Sequence, residues 1–314
     1  MRTPSRLAVG GAVLLALVLA CVVGPWILTP AGDGDPVHAA LLPPGAEVSV
    51  IDLDDGRTVV APAVERRDGL LRINGTKRTT DIDPDRVLSI REARMWLGSD
   101  RFGRDILPRL LRAGRISLLI AALGVAISLM IGLAVGLAAA TGGRTVDAVL
   151  MRCVDALLAF PVLLLLILVS TLFRPGPGLL VAILGLVSWM SLARLVRGQV
   201  LSLRNRSFIH AAQVAGTSWH RIWTLHYIPN LKAPLAQDTA LRMGDLVLAE
   251  ATLSFLGLGI PASLPSWGVM IAEGQRAMID GWWLSVFPGI AITALVISLA
   301  LIGDGIQKIG KASA

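Results

Sequence analysis

Charge is what this chain of 314 residues lacks first: only 16% of it is Asp, Glu, Lys or Arg, against 54% hydrophobic residues. A soluble chain of this length would hold one or two domains. Sparse charge beside several apolar runs of about 20 residues, the length that crosses a bilayer's hydrocarbon, argues instead for a membrane protein. Cysteine is nearly absent. Cys21 and Cys153 are the only two, both in or beside apolar runs, and they supply neither a disulfide framework nor metal-ligand spacing. Lysine is scarce too. None follows a glycine-rich loop and precedes Ser or Thr, so the phosphate cradle G-x-x-x-x-G-K-[ST] is missing. Any ATP hydrolysis that drives this protein therefore belongs to another chain. No catalytic cluster stands out either. The net charge of +7 would suit nucleic acid in a soluble protein. In a membrane protein it reflects basic residues held in cytoplasmic loops, so lipid is the expected partner and nucleic acid is not.

The apolar runs are Leu7–Leu28 and those near 116–140, 156–173, 179–193, 237–259 and 283–303. They predict an all-α integral membrane protein with about six transmembrane helices. The first run continues past Cys21 through "VVGPWIL" with no cleavage site after it, so it reads as a retained span rather than a signal peptide. The fifth is the weakest, because it carries Asp238, Arg242, Asp245 and Glu250.

Residues 29–95 differ. "EVSVIDL", "TVVAPAVE" and "LLRI" are separated by "DDGR" and "RRDG", and Asp-Gly between alternating runs is a strong hairpin signal. This segment reads as a small β-rich extracytoplasmic insertion after the first span. A short helix is expected after Pro84, and His38, a lone histidine, is expected to be solvated. At about 65 residues such an insertion is marginal alone, so it is expected to fold against a neighbour on the outer face.

Orientation follows from the basic residues. With the N-terminus in the cytoplasm, that side holds twelve: Arg2, Arg6, Arg144, Arg152, Arg194, Arg197, Arg204, Arg206, Arg221, Lys232, Lys308 and Lys311. The short segments opposite hold two, Arg174 and Arg276. The asymmetry puts both termini in the cytoplasm. The stretch His210–Asn230, "HAAQVAGTSWHRIWTLHYIPN", is then cytoplasmic as well. Phe208, Ala211, Ala212 and Ala215 share one helical face, and Trp219, Ile222 and Trp223 follow at helical spacing. Gly216 between them suits a helix end that needs positive φ. Thr217 or Ser218 is placed to cap the second helix, and Pro229 to end it. Two short helices meeting at a glycine serve either to lie on anionic lipid or to dock a cytoplasmic partner.

This stretch resembles the cytoplasmic coupling loop of bacterial ABC importer permeases, whose motif is Glu-Ala-Ala, three residues, Gly, nine residues, Ile-x-Leu-Pro. Ala211, Ala212, Gly216 and Pro229 keep the spacing; His210, His226 and Ile228 replace the glutamate, isoleucine and leucine. "LGSDRFGRDILPRLLRAGRISLL", "MRCVDALLAFPVLLL", "LAEATLSFLGLGIPASLPSWGVMIAEG", "WWLSVFPGIAI" and "LIGDGIQ" are similar to segments of the dipeptide/oligopeptide (and nickel) permease group, C-type subunit. Pro108 stands where that group has serine, in a place where the first turn of a helix tolerates it. The resemblance covers about 96–310 and not 30–95. It implies the type I importer permease fold, with residues 1–28 as N-terminus and first span, 29–95 as the insertion, and 96–314 as the permease domain with a coupling loop at about 200–234. It further implies a cell inner-membrane location, a second homologous permease subunit, two ATPase subunits holding ATP and Mg, and an extracytoplasmic solute-binding protein. No cofactor is implied in this chain. The coupling-loop residues would be His210, Ala211, Ala212, Gly216, Trp219, Ile222, Trp223 and Pro229.

Ionisable groups inside apolar runs are functional candidates by default, and Asp155, Asp245 and Glu250 are the candidate pore residues. Asp238 and Arg242, spaced i, i+4, and Arg242 and Asp245, spaced i, i+3, can pair on one helix face, and the first pair suits a role in fixing helix packing. Gly257 and Gly259, and Gly132 and Gly136, suit close helix approach. Two other functions compete on the sequence: a proton-coupled secondary transporter using these acids, and a membrane sensor built on the β-rich insertion. Neither an inverted repeat nor a long linker between halves supports the first.

Overall fold

The computed structural model describes residues 3–28, 34–67, 69–173, 176–261 and 263–312; Arg2 and Arg174 of the orientation argument, and Asp68 of the second Asp-Gly turn, lie outside them. The chain splits into two compact units, one of Met1–Leu15, Ser117–Pro261 and Thr293–Ala314, the other of Ala16–Ile116 and Ala262–Ile292.

Helices dominate. Among the described residues four are long and apolar enough to cross a membrane: α1 (Thr3–Ile27), α2 (Ile106–Thr141), α5 (Pro177–Arg204) and α10 (Trp283–Ala312). The run expected at 156–173 is instead the second limb of a broken pair, α3 (Gly143–Leu158) and α4 (Val162–Leu172), bent by 80°. Pro161 is the cause. It denies the α conformation to Phe160 before it and supplies no N–H, so α4 restarts with Pro161 as its N-cap. The expected fifth span is α8 (Ile228–Phe255). Its 28 residues are enough to cross, but its charges keep it from qualifying on composition. Only 11% of the apolar window of α1 is buried within the chain, against 50% for α5. Of these four helices α5 is the most buried within the chain and α1 the least.

In the first unit, Gly132 and Gly136 sit where α2 meets α5. A Cβ on Gly132 would lie 2.7 Å from Leu192, and one on Gly136 2.6 Å from Val196, closer than carbon atoms approach. The close approach expected of this pair is present, but that expected of Gly257 and Gly259 is not: both follow the end of the helix Ile228–Phe255, a Cβ on Gly257 would meet nothing within 4 Å, and one on Gly259 would meet Ser254 of its own turn. Arg242 is buried on α8, and Asp238 accepts from its Nε and Nη2 at 2.9 and 3.0 Å. Its other amino group donates to the Ser188 carbonyl and, at 3.3 Å, to the Ser191 hydroxyl, both on α5. A buried cation needs such satisfaction, and here it fastens α8 to α5.

The second unit contains the insertion. Its strands are β1 (Ala46–Leu53), β2 (Thr58–Ala61), β3 (Ala63–Arg67), β4 (Leu70–Asn74), β5 (Thr79–Ile82) and β6 (Val87–Met95), in two antiparallel sheets ordered β2-β1-β6 and β3-β4-β5. The Asp-Gly hairpin between β1 and β2 is present: Gly56 has φ +78° and the Leu53 N–H donates to the Arg57 carbonyl at 2.9 Å. In this turn the Arg57 guanidinium holds the Asp55 carboxyl down to about 2. Two expectations fail here. The helix after Pro84 is a single 3-10 turn, Pro84–Arg86, and residues from Val87 onward form a strand instead. His38 is buried rather than solvated, with Nδ1 2.8 Å from Asp35 Oδ2 and Nε2 2.9 Å from Thr80 Oγ1. The insertion also has apolar interiors of its own: Val48, Val50, Val60 and Met95 with Ala39 and Leu42, and Ile51, Leu53, Ala61 and Ile73 between the sheets.

Where α2 begins, the chain closes around Asp100. This carboxylate accepts from the N–H groups of Phe102 and Arg104 at 2.8 and 3.0 Å, and from Arg104 Nε at 2.6 Å. It also accepts from Arg109 Nη1 at 3.1 Å. Arg109 then reaches Glu273 on α9 (Trp267–Gln275) with two bonds of 2.5 and 2.8 Å. Pro108 lies in the first turn of α2, where its missing N–H is harmless.

Candidate functional site

Past the end of α5 the chain makes α6 (Ser207–Val214), a corner, and α7 (Trp219–Ile222). Gly216 has φ +73°, the Gly216 N–H donates to Gln213 O at 3.0 Å, and the Thr217 N–H donates to Ala212 O at 3.1 Å. This pair of bonds closes a helix end through a left-handed residue, which is why glycine stands there. Ser218 holds the N-cap position of α7 in an extended conformation, without the expected side-chain hydrogen bond.

Pro229 does not end the second helix. α7 runs through a π-helical segment, Trp223–Tyr227, into α8, with the Ile228 N–H donating to Trp223 O, five residues back. Pro229 occupies the first turn of α8. A proline brings no N–H, so it fits where a helical ladder changes register.

A single apolar cluster seats this element. Ile209 of α6, Ile222 of α7, Tyr227 and Leu231 are buried with Leu137 and Ala140 of α2 and Leu192, Val196 and Val200 of α5. Of the residues named from sequence, Ala212, Ile222 and Trp223 pack on that cluster. His210, Ala211, Gly216, Trp219 and Pro229 are exposed. The outer surface adds Val214, 90% exposed, with Phe208 and Leu225. Sequence reading missed Ile209 and Tyr227 as anchors and Val214 and Leu225 as surface. Ile209 and Ala212, three apart, already carried the inward-facing signal. The element is thus a two-sided wedge: its inner side joins the ends of three long helices, and its outer side exposes Phe208, Val214 and Trp219 beside His210, His220 and Arg221.

The candidate pore residues do not form one constellation. Asp155 of α3 is half-exposed and paired with Arg194 of α5; Asp147, two turns earlier, takes two bonds from Arg197 at 2.5 and 2.6 Å. Asp245 is exposed on α8 and is not joined to Arg242, whose guanidinium is held by Asp238. Glu250 is buried and accepts at 2.7 Å from Ser254 one turn on, a helix-internal contact. Among the described residues no group of His, Cys, Asp and Glu is arranged to hold a metal ion.

Residues 109–311 match the family described as binding-protein-dependent transport system inner membrane component. A Brucella suis chain named for a peptide transport system permease is 35% identical over 303 residues, 96% of this chain and 86% of that one. That span takes in most of residues 30–95, the segment expected to lie outside the resemblance. The oligopeptide transport system permease OppC of Escherichia coli K12 is 39% identical over 216 residues, 69% of this chain and 72% of that one. The dipeptide transport system permease DppC of Bacillus subtilis is 35% identical over 213 residues, 68% and 67%. Among solved structures, an inward-facing form of the MetNI methionine ABC transporter shares the fold, with a TM-score of 0.52 at 18% identity, covering 67% of this chain and 98% of that one. With the family pattern running through α2 to α10 and relatives at 35–39% identity, this chain belongs to the inner membrane components of binding-protein-dependent transport systems.

Proposed function

We infer that this permease forms one half of the translocation path of an ATP-driven importer of peptides, completed by a second homologous permease subunit. Its α6–α7 corner docks in the ATPase subunits, and a solute-binding protein delivers peptide to the outer side. The observation that carries the reading is the wedge itself. A contact made on Phe208, Ala211, Val214 and Trp219 is tied through Ile209, Ile222 and Tyr227 to α2, α5 and α8, so a displacement of the corner must move or strain the helices around the path. ATP with Mg is bound and hydrolysed in the partner ATPases. The relatives' names support peptide as the solute. Co-expression with the neighbouring transporter genes tests the assignment: the purified complex is expected to contain two ATPase chains and to take up short peptides into proteoliposomes only with ATP. Uptake driven by a proton gradient without nucleotide would overturn it.

Orientation has its own test. Both termini and the α6–α7 corner are assigned to the cytoplasm and the β insertion to the outside. In a Cys21→Ala, Cys153→Ala background, Arg66→Cys on β3 is expected to react with an impermeant maleimide on intact cells. Asn205→Cys, at the exposed C-cap of α5, is expected to react only after permeabilisation. The opposite pattern would invert the topology.

A further inference from the structure

The α6–α7 corner sits in a stretch of chain with no acid. From residue 156 to residue 237 there is neither Asp nor Glu. The acids that flank this stretch are taken: Asp155 pairs with Arg194, and Asp238 holds Arg242. The corner itself is basic. Arg204, Arg206, Arg221 and Lys232 are exposed, and among the described residues none of these four side chains has an ion-pair partner. Three of the chain's four histidines, His210, His220 and His226, stand here as well, and the first two are exposed. His210 occupies the position at which the coupling-loop motif has glutamate.

Helix geometry carries these groups to the docking side. In α7 Ile222 is buried, so at about 100° per residue His220 stands near the middle of the outer side, with Trp219 and Arg221 flanking it. In α6 Ile209 is buried, and His210 shares the outer face with Val214, four residues on. A partner that covers Trp219 and Val214 therefore takes the Arg221 guanidinium and both imidazoles out of water with them. An apolar wall would strand that guanidinium, and a basic wall would repel it; a carboxylate satisfies it. Anionic lipid offers negative charge too, but a helix lying on lipid spends its apolar face there. Here Ile209, Ala212, Ile222 and Trp223 spend theirs on α2 and α5. We propose that the ATPase cleft receiving this corner is lined with carboxylates, which meet Arg221, His220 and His210. The polarity of the contact is then the reverse of one built on the motif's glutamate.

Charge reversal in the intact transporter tests it. In proteoliposomes holding the complex of permease and ATPases, His210→Glu restores the residue of the motif and is expected to lower ATP-dependent peptide uptake several-fold. Arg221→Glu is expected to do the same, with loss of ATPase chains on purification. Arg221→Lys keeps the charge and should retain most of the uptake. It also sets a primary amine at the contact, so a carbodiimide should couple it, without a spacer, to an Asp or Glu of an ATPase chain that mass spectrometry then locates. Changing that acid to Lys should recover uptake in the Arg221→Glu background. The proposal rests on the assignment of the corner to the ATPases, and the two fail differently. A wild-type preparation without ATPase chains removes both. A complex that keeps its ATPase chains and takes up peptide, yet gives no carbodiimide product from Arg221→Lys or is indifferent to both charge reversals, overturns the acidic cleft alone. So does a reversal effect seen in vesicles containing phosphatidylglycerol and absent in phosphatidylcholine alone, which would assign the cations to lipid.

Discussion

Replacing Gly216 by tryptophan is expected to abolish peptide uptake while the chain remains folded and inserted. The structure separates the two outcomes. Nothing lies within 4 Å of a Cβ built on Gly216, so the indole displaces no packed side chain of this protein. The substitution does force a side chain onto a residue with φ +73°, which strains the corner by roughly 1–2 kcal/mol. That strain is too small to unfold a protein of ordinary stability. The indole instead projects from the surface assigned to the ATPases. Gly216→Ala carries the backbone strain without the bulk and is expected to keep much of the activity. ATP-dependent uptake in proteoliposomes, with ATPase content checked in the same sample, makes the measurement. Wild-type uptake by the tryptophan variant would remove the α6–α7 corner from the coupling role.

Arg109→Ala is expected to produce the largest loss of stability. Arg109 is buried and binds two carboxylates, Asp100 and Glu273, that are themselves mostly buried. Deleting the cation leaves two negative charges facing each other in a poorly solvated place, where breaking such a pair typically costs about 3–5 kcal/mol. Arg104 remains, with Nε on Asp100 at 2.6 Å but only a long approach to Glu273 of 3.7 Å, and so offsets part of the loss on one side. A second change, Glu273→Gln, in the Arg109→Ala background removes one of the stranded charges and should recover part of the stability. Thermal unfolding in detergent reads both effects. An Arg109→Ala melting temperature equal to wild type would show that the network does not hold α2 to α9.

Much of this architecture is written locally, and the exceptions share a cause. Asp54-Asp55-Gly56-Arg57 announces its turn within four residues, and Gly216 announces a helix end because no other residue takes its φ without strain. His38 looked solvated because Thr80, one of the two groups that bury it, is 42 residues away. β6 was hidden as a strand because its edge exposes both faces along Ser89–Glu92, which erases the inside–outside alternation. Prolines misled in both directions. Pro161 breaks a run that hydropathy counts as continuous, and Pro229 reads equally well as the end of one helix or the first turn of the next. The α6–α7 corner was legible as two helices and a glycine. Which of its residues face inward was not, because that depends on Leu137, Val196 and Val200 from other helices.

The widened turn at Trp223–Tyr227 has a mechanical consequence. A π segment holds one residue more than the α ladder requires, and each residue of a helix stands for about 100° of rotation and 1.5 Å of rise. The corner and α8 are therefore one continuous rod with an adjustable phase. If the surplus residue were reeled into the regular ladder, the rod would stay unbroken while its α7 end turned by about a quarter of a revolution against the span. Deleting Leu225 would fix that altered phase permanently. It would aim Trp219 and Val214 at a different bearing from the one α8 now dictates, with the Arg242 bonds that fasten α8 to α5 left in place.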